Sequence, residues 1–268
     1  MATQTYEQLI VDRAGAVAKV RMNNPSRLNA FTWTLARELV DALEGLAADA
    51  EVRAVILSGE GDRAFSAGAD LSAFEEPYRK GERPKLSQFL EAGYNRLIPL
   101  ITEMPKPVVG ALRGVVAGAG VALSLACDYR IAADDVSFSM AFVKIGLIPD
   151  AGSSYLLPRT VGMGRALEMA MLSDRVDAET ALRFGLVNRV VPAASLMAEA
   201  EALAERLAGM PTVAIGMTKR LFHGASTLSL SEALAREAQA QDEAALTDDH
   251  LEGVMAFLEK RPPRFTGT

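Results

Sequence analysis

Apolar residues in the first half of the chain alternate between strand spacing and helix spacing. In residues 16–22 (AVAKVRM) every second side chain is apolar, and Lys19 and Arg21 fall between them, which predicts a strand. Behind Thr32 four leucines recur at helical spacing up to position 46, which predicts a helix capped by that threonine. A buried strand follows over residues 52–61 and ends in a glycine-rich turn. This strand, helix, strand order indicates an α/β fold.

The same alternation continues to about residue 140 and then gives way to helices. Residues 106–114 (KPVVGALRG) predict a strand, residues 117–127 (AGAGVALSLAC) an apolar helix, and residues 128–133 and 136–140 two short strands. Later helices are predicted over residues 164–173, 177–185, 193–209 and from 211 onward, with one strand over 186–192. We therefore divide the chain into an α/β core, residues 1–192, and a helical C-terminal part, residues 193–268.

Composition and charge exclude several classes of function. The 268 residues are half apolar, which allows one large domain or two small ones. Basic residues number 28 and acidic residues 34, and no dense Lys/Arg run occurs, so we expect no nucleic-acid partner. No segment resembles a signal peptide or reaches the roughly 18 apolar residues of a membrane span. The sequence therefore predicts a cytoplasmic protein without a membrane partner.

The cysteine and histidine residues give no support for a metal site. Cys127 is the single cysteine, so it forms neither an internal disulfide nor a CxxC pair, and we interpret it as a small buried apolar residue. His223 and His250 fit no metal-ligand spacing, and we expect both on helix surfaces. We predict no bound metal.

Two segments run small residues through a turn toward a predicted helix: FSAGADL (65–71) and VVAGAGVAL (115–123). Small residues let a ligand approach the backbone, and the N–H groups at a helix start lack partners within the helix. Side by side, these two turns would present a pair of N–H donors. The alternative interpretation of each is a tight turn where a helix packs closely on a strand.

Known nucleotide and nucleophile motifs do not explain these turns. GAG at 118–120 lacks the third glycine of a dinucleotide fingerprint, because position 123 is leucine. No GK[ST] follows either turn, which excludes a Walker loop. DAGSSYL, which begins at Asp150, lacks the second glycine of a GxSxG nucleophile elbow.

Asp150 stands in GLIPDAGSS (146–154), between Pro149 and a predicted helix. Taken alone, this setting favours a helix cap, in which the carboxylate accepts from the first free N–H groups of the helix. The competing interpretation is a functional carboxylate.

Five segments, in order, resemble the enoyl-CoA hydratase/isomerase, or crotonase, superfamily: NNPSRLNAF (23–31), FSAGADL (65–71), KPVVGALRGVVAGAGVALSLACDYRIAA (106–133), GLIPDAGSSYLLPRTVG (146–162) and FGLVNRVVP (184–192). The resemblance extends over essentially the whole chain, including FLEKRPPRF at 257–265. It implies a spiral of ββα units with a helical C-terminal trimerisation part, assembled as a homotrimer or a dimer of trimers. It also implies that the substrate is an acyl-CoA. Coenzyme A is then part of the substrate, and no separate cofactor is expected.

The resemblance assigns roles to positions of this chain. The backbone N–H groups of Ala69 and Ala119 would bind the thioester oxygen, in agreement with the two donor turns. The implied contacts with coenzyme A or the acyl group are Ser26, Arg27, Leu28, Ala67, Gly68, Asp70, Leu71, Phe142, Phe257 and Lys260. For Arg27 and Lys260 a solvated surface cation is the alternative interpretation.

The sequence departs from the hydratases of this superfamily at two positions. Hydratases carry two glutamates, where this chain has Ala122 and Phe142. Water addition needs one carboxylate for the water and a second group for the α-carbon proton, and neither of these side chains can move a proton. The segment AFVKIGLIPDAGSSYLLPR (141–159) most resembles the phenylacetate-pathway branch, in which an aspartate at position 150 shuttles protons while a ring epoxide becomes an oxepin.

The sequence therefore predicts an acyl-CoA isomerase in which Asp150 serves as both base and acid. We expect its carboxylate in an apolar pocket near Phe138 and Phe142, with a raised pKa. Three alternatives stay open: a hydratase that uses another carboxylate such as Glu76, a non-catalytic acyl-CoA-binding paralogue, and an aryl-CoA dehalogenase. The last is disfavoured, because the dehalogenase branch of the superfamily also uses a histidine in the segment before the second donor turn. Residues 85–100 of this chain contain none.

Overall fold

The computed structural model describes residues 6–268, which contain ten strands. Six strands form one sheet in the order β1-β2-β3-β5-β7-β10, and four form a second sheet in the order β4-β6-β8-β9. The strands are β1 Leu9–Ala14, β2 Val17–Met22, β3 Ala54–Gly59, β4 Ala64–Ser66, β5 Val108–Leu112, β6 Val115–Ala117, β7 Tyr129–Ala133, β8 Ser137–Ser139, β9 Val176–Asp177 and β10 Arg189–Val191.

Successive strands divide between the two sheets. β3, β5 and β7 lie in the larger sheet, and the strand that follows each of them, β4, β6 and β8, lies in the smaller one. Neighbouring strands run parallel except in the hairpin of β1 with β2 and in the pair β8 with β9. Each such pair of strands is followed by helix, so the predicted spiral of ββα units is confirmed.

Twelve α-helices occur among the described residues. They are α1 Trp33–Ala48, α2 Glu75–Arg79, α3 Leu86–Ala92, α4 Tyr94–Glu103, α5 Ala119–Ala126, α6 Ser153–Val161, α7 Met163–Leu172, α8 Ala178–Phe184, α9 Leu196–Ala208, α10 Thr212–Ala225, α11 Leu230–Ala245 and α12 Asp248–Glu259.

Two helix starts follow directly from capping side chains. The Thr32 hydroxyl accepts from the N–H of Leu35 at 3.0 Å, and the Asp177 carboxylate accepts from that of Thr180 at 2.9 Å. Both predicted helices therefore begin where expected. The sequence pattern did not predict the strands β1, β4, β6 and β9 or the three helices α2 to α4.

The two faces of the large sheet carry different cores. One face packs against α1, α4 and α5 in the main apolar cluster. The other is covered by α9, whose buried residues Leu196, Ala200, Ala204 and Ala208 lie on small and β-branched strand residues. α10 follows and is tied to the core by a buried ion pair of 2.7 Å between Lys219 and Asp128. The division at residue 192 stays a prediction.

Candidate active site

The two predicted donor turns touch each other. β4 and β6 are parallel neighbours, so the turns that follow them leave the same edge of the small sheet. Gly68 has φ +86°, and a methyl group placed on it would lie 2.8 Å from the Ala117 carbonyl oxygen and 3.2 Å from the Ala119 nitrogen. Only glycine fits this position, because any side chain would push the two turns apart.

The first turn of α5 also lies directly on the end of β4. A methyl group on Gly120 would meet the Ser66 carbonyl oxygen at 2.5 Å. The small residues therefore do allow close packing, as the alternative interpretation held. That packing is also what brings the two sets of backbone N–H groups together.

Two amides at this junction are uncommitted. Among residues 6–268 no hydrogen bond is donated by the N–H of Ala69 or of Ala119, the first residue of α5. Four neighbouring amides are engaged: Ala67 with Leu28 O at 2.9 Å, Gly68 with Ser66 Oγ at 3.2 Å, Asp70 with Phe31 O at 2.9 Å and Gly118 with Ser139 O at 3.0 Å. Two free donors at the start of a helix suit an oxygen that carries negative charge.

Hydrogen bonds of Asn29 fix the position of the first donor turn. Its backbone has φ +52°, its Nδ2 donates to Ala64 O at 2.8 Å and its Oδ1 accepts from Asn24 N at 3.0 Å. Its carbonyl oxygen accepts from the Ser66 hydroxyl at 2.9 Å. These bonds seat residues 24–31 against residues 64–70, so the structure brings the predicted Ser26 to Leu28 contacts beside the predicted contacts at 67–71.

Arg27 and Asp70, both predicted to contact coenzyme A, contact each other. Their ion pair is 2.8 Å long, and the guanidinium also donates to the Ser72 hydroxyl. Burial raises the pKa of Asp70, but hydrogen bonds from Ser72 and Arg27 outweigh it and leave that pKa below its ordinary value. Ser26 and Leu71 are exposed beside this pair. A phosphate contact by Arg27 stays a prediction.

Phe257 and Lys260 are not part of the hydrogen-bond network that joins residues 24–31 to residues 64–72. Phe257, on α12, is 82% exposed, and Lys260 is the exposed residue that ends that helix. No hydrogen bond or ion pair of the described residues joins either one to residues 26–28 or 67–71. Their role in binding coenzyme A stays a prediction.

The helix-cap interpretation of Asp150 is wrong. α6 begins at Ser153 with Gly152 as its N-cap, and the Ser153 N–H bonds to the backbone oxygen of Asp150 at 2.8 Å. Ala151 and Gly152 both have positive φ, +50° and +77°, so the chain turns sharply between the aspartate and the helix. The carboxylate accepts none of the helix N–H groups, and its Oδ1 is buried with no hydrogen-bond partner within residues 6–268.

Burial raises the pKa of Asp150 to about 6, and this confirms the expected direction. Phe142 is buried, and its ring lies at the second donor turn, with Cζ 3.9 Å from a methyl group placed on Gly118. Phe138 is fully buried in β8. A carboxylate with a pKa near 6 can both accept and return a proton close to neutral pH.

Tyr94 is a site residue that the sequence analysis missed. It is 1% exposed on α4, and its ring packs 4.9 Å from that of Phe31, which bridges to Ala69 in the first donor turn. Burial raises the pKa of Tyr94, and the nearby charge of Asp150 raises it further. Tyr94 is therefore linked through Phe31 to the first donor turn and is also close enough to Asp150 to feel its charge. The only sequence signal was a tyrosine within an apolar helical stripe, where its hydroxyl needs a partner.

The two positions at which hydratases carry glutamate are both buried and apolar here. Ala122 is fully buried in α5, and Phe142 is 7% exposed. Glu76, the alternative carboxylate, has a side chain 78% exposed and pairs with Lys80 at 2.6 Å on the surface of α2. This geometry gives Glu76 no part in a buried site.

The cysteine and histidine residues are not among the residues of the two donor turns or of the Asp150 segment. Cys127 is buried, as expected, and burial raises the pKa of its thiol to about 12. His250 is exposed, whereas His223 is partly buried, and that burial lowers its pKa. In the described part of the chain no three His, Cys, Asp or Glu side chains are grouped to hold a metal ion. Nor does any helix in residues 6–268 have the length and apolarity to span a bilayer.

The chain matches a family model described as enoyl-CoA hydratase/isomerase over residues 12–268. A 1,2-epoxyphenylacetyl-CoA isomerase of Escherichia coli K12 is 40% identical over 252 residues, which cover 94% of this chain and 95% of the relative. A crotonyl-CoA hydratase of Syntrophomonas wolfei is 33% identical over 260 residues, 97% of this chain and 98% of the relative.

Solved structures agree with these sequence comparisons. The crystal structure of an enoyl-CoA hydratase from Bacillus anthracis superposes with a TM-score of 0.89 at 34% sequence identity. The match covers 98% of this chain and all of the other chain.

Proposed function

The chain belongs to the enoyl-CoA hydratase/isomerase family and acts on an acyl-CoA, and we propose that within the family it is an isomerase. In this proposal Asp150 removes a proton from one carbon of the acyl group and returns it at another, which moves a double bond or rearranges an unsaturated ring. The observation that carries the proposal is a partly buried carboxylate, with Oδ1 buried and unpartnered, in a chain whose two hydratase glutamate positions are Ala122 and Phe142.

The paired amides supply the stabilisation that such a reaction needs. A thioester α-proton is only weakly acidic, so its removal requires that the negative charge reaching the carbonyl oxygen be stabilised. The N–H groups of Ala69 and Ala119 would donate to that oxygen, and the start of α5 adds its positive dipole end. Loss of one such donor costs roughly 2.7–4 kcal/mol in known oxyanion holes.

Asp150 can then work without a second acid. It takes a proton from the first carbon, the electron pair moves into the conjugated enolate, and the same proton or a solvent proton is delivered at the second carbon. Atoms and charge balance over the cycle, and no water is consumed. The apolar side chains at 122 and 142 leave no group at those positions to activate water.

Two other functions compete with isomerisation. Water addition finds support in the hydratases among the relatives, but it needs a carboxylate pair that positions 122 and 142 do not provide. A non-catalytic acyl-CoA-binding protein would gain nothing from a carboxylate whose Oδ1 is buried without a partner, because burying such a group is unfavourable. Both observations favour the isomerase.

Heavy water separates these functions in one experiment. The protein is incubated in D₂O with enoyl-, dienoyl- and aryl-acetyl-CoA thioesters, and the acyl groups are analysed by mass spectrometry. We expect deuterium to enter at least one acyl group and a shifted double bond to appear, while crotonyl-CoA keeps its enoyl absorbance. Rapid loss of that absorbance would identify a hydratase, and binding without any deuterium uptake a non-catalytic protein.

The pH dependence should report the Asp150 carboxylate. Asp150 accepts a proton only when ionised, and burial raises its pKa to about 6. Its active fraction therefore falls as the pH drops through that value. We expect kcat/KM for isomerisation to decline about tenfold per pH unit below about pH 6, measured as a pH–rate profile with a single substrate. A break near pH 4, the ordinary range of a carboxyl group, would contradict this assignment.

We further propose the assembly and ligand contacts that the family resemblance implies. Exposed apolar side chains of α11, α12 and the turn between them support burial against further copies of the chain in a trimer or a dimer of trimers: Leu230, Leu234, Leu246, Leu251, Phe257 and Leu258. The coenzyme A moiety of the substrate would then lie along Ser26, Arg27, Leu28 and residues 67–71, with Phe257 and Lys260 contributed by a C-terminal helix. No cofactor beyond the substrate's own coenzyme A enters this mechanism.

A further inference from the structure

We propose that the hydroxyl of Tyr94 is a second polar contact for the acyl group, and that it makes the site select acyl groups carrying an oxygen acceptor close to the carbon that Asp150 deprotonates. The inference rests on the proposed function, because it needs the acyl group to lie between Asp150 and the donor turns. It adds a specificity-determining residue and a substrate class to that function.

The Tyr94 hydroxyl is buried and has no hydrogen-bond partner within residues 6–268. Tyrosine hydroxyls in protein interiors normally find a partner, and an unpaired one is unfavourable. Two oxygens in residues 150–153 are also buried without a hydrogen-bond partner: Asp150 Oδ1 and Ser153 Oγ. A group of unsatisfied buried oxygens in an otherwise apolar region offers hydrogen-bond partners to a polar ligand atom.

The ring of Tyr94 cannot swing its hydroxyl out to solvent. It is packed 4.9 Å from the ring of Phe31 and 5.7 Å from that of Phe89, both buried. One turn further along α4, the side chain of Ile98 lies 3.5 Å from a methyl group placed on Gly152, so α4 packs against the Asp150 turn. The hydroxyl is therefore held at a fixed place beside Asp150.

The Tyr94 hydroxyl and the Asp150 carboxylate do not form a hydrogen bond with each other, although the charge of Asp150 acts on the tyrosine. The hydroxyl can donate and the carboxylate can accept, so an acyl group between them can use both at once. Asp150 takes a proton from carbon, and Tyr94 donates to an oxygen on a neighbouring carbon, such as a hydroxyl or an epoxide.

An acyl group without such an oxygen would leave the tyrosine hydroxyl unpaired. Sites built around a hydrogen bond reject analogues that lack the matching atom, because the buried polar group then has no partner. A saturated or purely hydrocarbon acyl group should therefore bind more weakly than an oxygenated one of the same shape. The preference should depend on Tyr94.

The test compares phenylacetyl-CoA with its 2-, 3- and 4-hydroxyphenyl analogues, which differ only in one oxygen. Dissociation constants are measured by titration calorimetry for the wild-type protein and for Tyr94→Phe. We expect at least one hydroxylated analogue to bind the wild-type protein roughly five- to tenfold more tightly than phenylacetyl-CoA, and Tyr94→Phe to remove most of this difference. Phenylacetyl-CoA itself should bind both proteins almost equally.

Tyr6→Phe is the matched control. It also removes one tyrosine hydroxyl, but that hydroxyl donates to Asp41 at 2.9 Å far along the chain from the site. We expect it to keep the preference for the hydroxylated analogue. Tyr94→Phe should keep or raise the melting temperature, because the hydroxyl it removes makes no hydrogen bond within the chain, whereas Tyr6→Phe loses one.

Several outcomes would overturn the inference. The first is that the wild-type protein binds no hydroxylated analogue more tightly than phenylacetyl-CoA. The second is that Tyr94→Phe keeps this preference for a hydroxylated analogue. The third is that Asp150→Asn loses the preference while Tyr94→Phe retains it. Equal weakening of all four ligands by Tyr94→Phe, with a shifted pH profile of exchange, would instead make Tyr94 a positioning residue for Asp150. These are binding measurements, so they can fail while deuterium exchange still supports the isomerase, and the reverse also holds.

Discussion

Asp150→Asn should slow deuterium exchange and isomerisation by roughly 10²- to 10⁴-fold, the range that a positioned acid–base group contributes. The amide has nearly the shape of the carboxylate but can neither take nor return a proton. The carboxylate makes no hydrogen bond within the described chain, so its replacement breaks no contact. Acyl-CoA affinity should therefore change by no more than about twofold, measured by titration calorimetry alongside the exchange rate.

Thermal stability gives the same variant a second readout. A folded-state pKa of about 6 lies above the ordinary value of 3.8, so the folded protein binds this proton more tightly than the unfolded chain does. The carboxylate therefore adds stability at low pH and loses that contribution as the pH rises through about 6. Asp150→Asn should accordingly melt at the same or a higher temperature than the wild-type protein at pH values above this range.

Asp242→Asn is the control for this experiment, because Asp242 is an exposed aspartate of α11. It should leave exchange, affinity and melting temperature unchanged. Normal turnover by Asp150→Asn would remove the aspartate from the mechanism. A large loss of acyl-CoA affinity in that variant would show that the carboxylate serves binding instead.

Ala119→Pro should lower kcat by roughly 10²- to 10³-fold, because it removes one of the two amide donors. Proline is well tolerated at the first position of a helix, where its missing N–H has no partner within the helix. Gly118, which precedes it, has ψ −126°, outside the helical region that proline disfavours in the residue before it. The fold should persist while the site loses its donor, as measured by circular dichroism and steady-state kinetics.

Two controls isolate the lost hydrogen bond. Met163→Pro introduces proline at the equivalent exposed position of α7, which also follows a glycine N-cap, and should leave activity intact. Ala119→Gly keeps the amide, removes only a methyl group and should retain most of the activity. Full activity in Ala119→Pro would exclude this amide as a donor to the substrate.

Much of the fold follows from local patterns in the sequence. Capping by Thr32 and Asp177 fixes two helix starts through single hydrogen bonds between neighbours in the chain. The distribution of consecutive strands between two sheets does not follow from periodicity, because both strands of a pair are apolar. The family resemblance, not the residue pattern, carried that prediction. Helices α2 and α3 give little helical signal because they bury no residue and one residue, Phe89, respectively. α4 does show helical spacing at Tyr94, Leu97, Ile98 and Ile101, but it contains Pro99, a residue type that normally interrupts a helix.

The site was predictable where backbone geometry demands small residues. Gly68 is such a position, because any side chain would collide with the neighbouring turn. The side-chain direction of Asp150 was not predictable from the same kind of reasoning. It depends on positive φ at Ala151, an uncommon conformation for alanine that no local signal announces. Tyr94 was hidden for another reason, since its ring fits the apolar stripe of α4 and only its hydroxyl is out of place.

A crystal structure of the protein with a bound unreactive acyl-CoA analogue measures the proposed geometry most directly. We expect the thioester oxygen about 2.7–3.1 Å from the amide nitrogens of both Ala69 and Ala119, with the Asp150 carboxylate beside the acyl carbons on the other side. A thioester bound away from these amides, or a glutamate in place of Asp150 within reach of the acyl carbons, would contradict it.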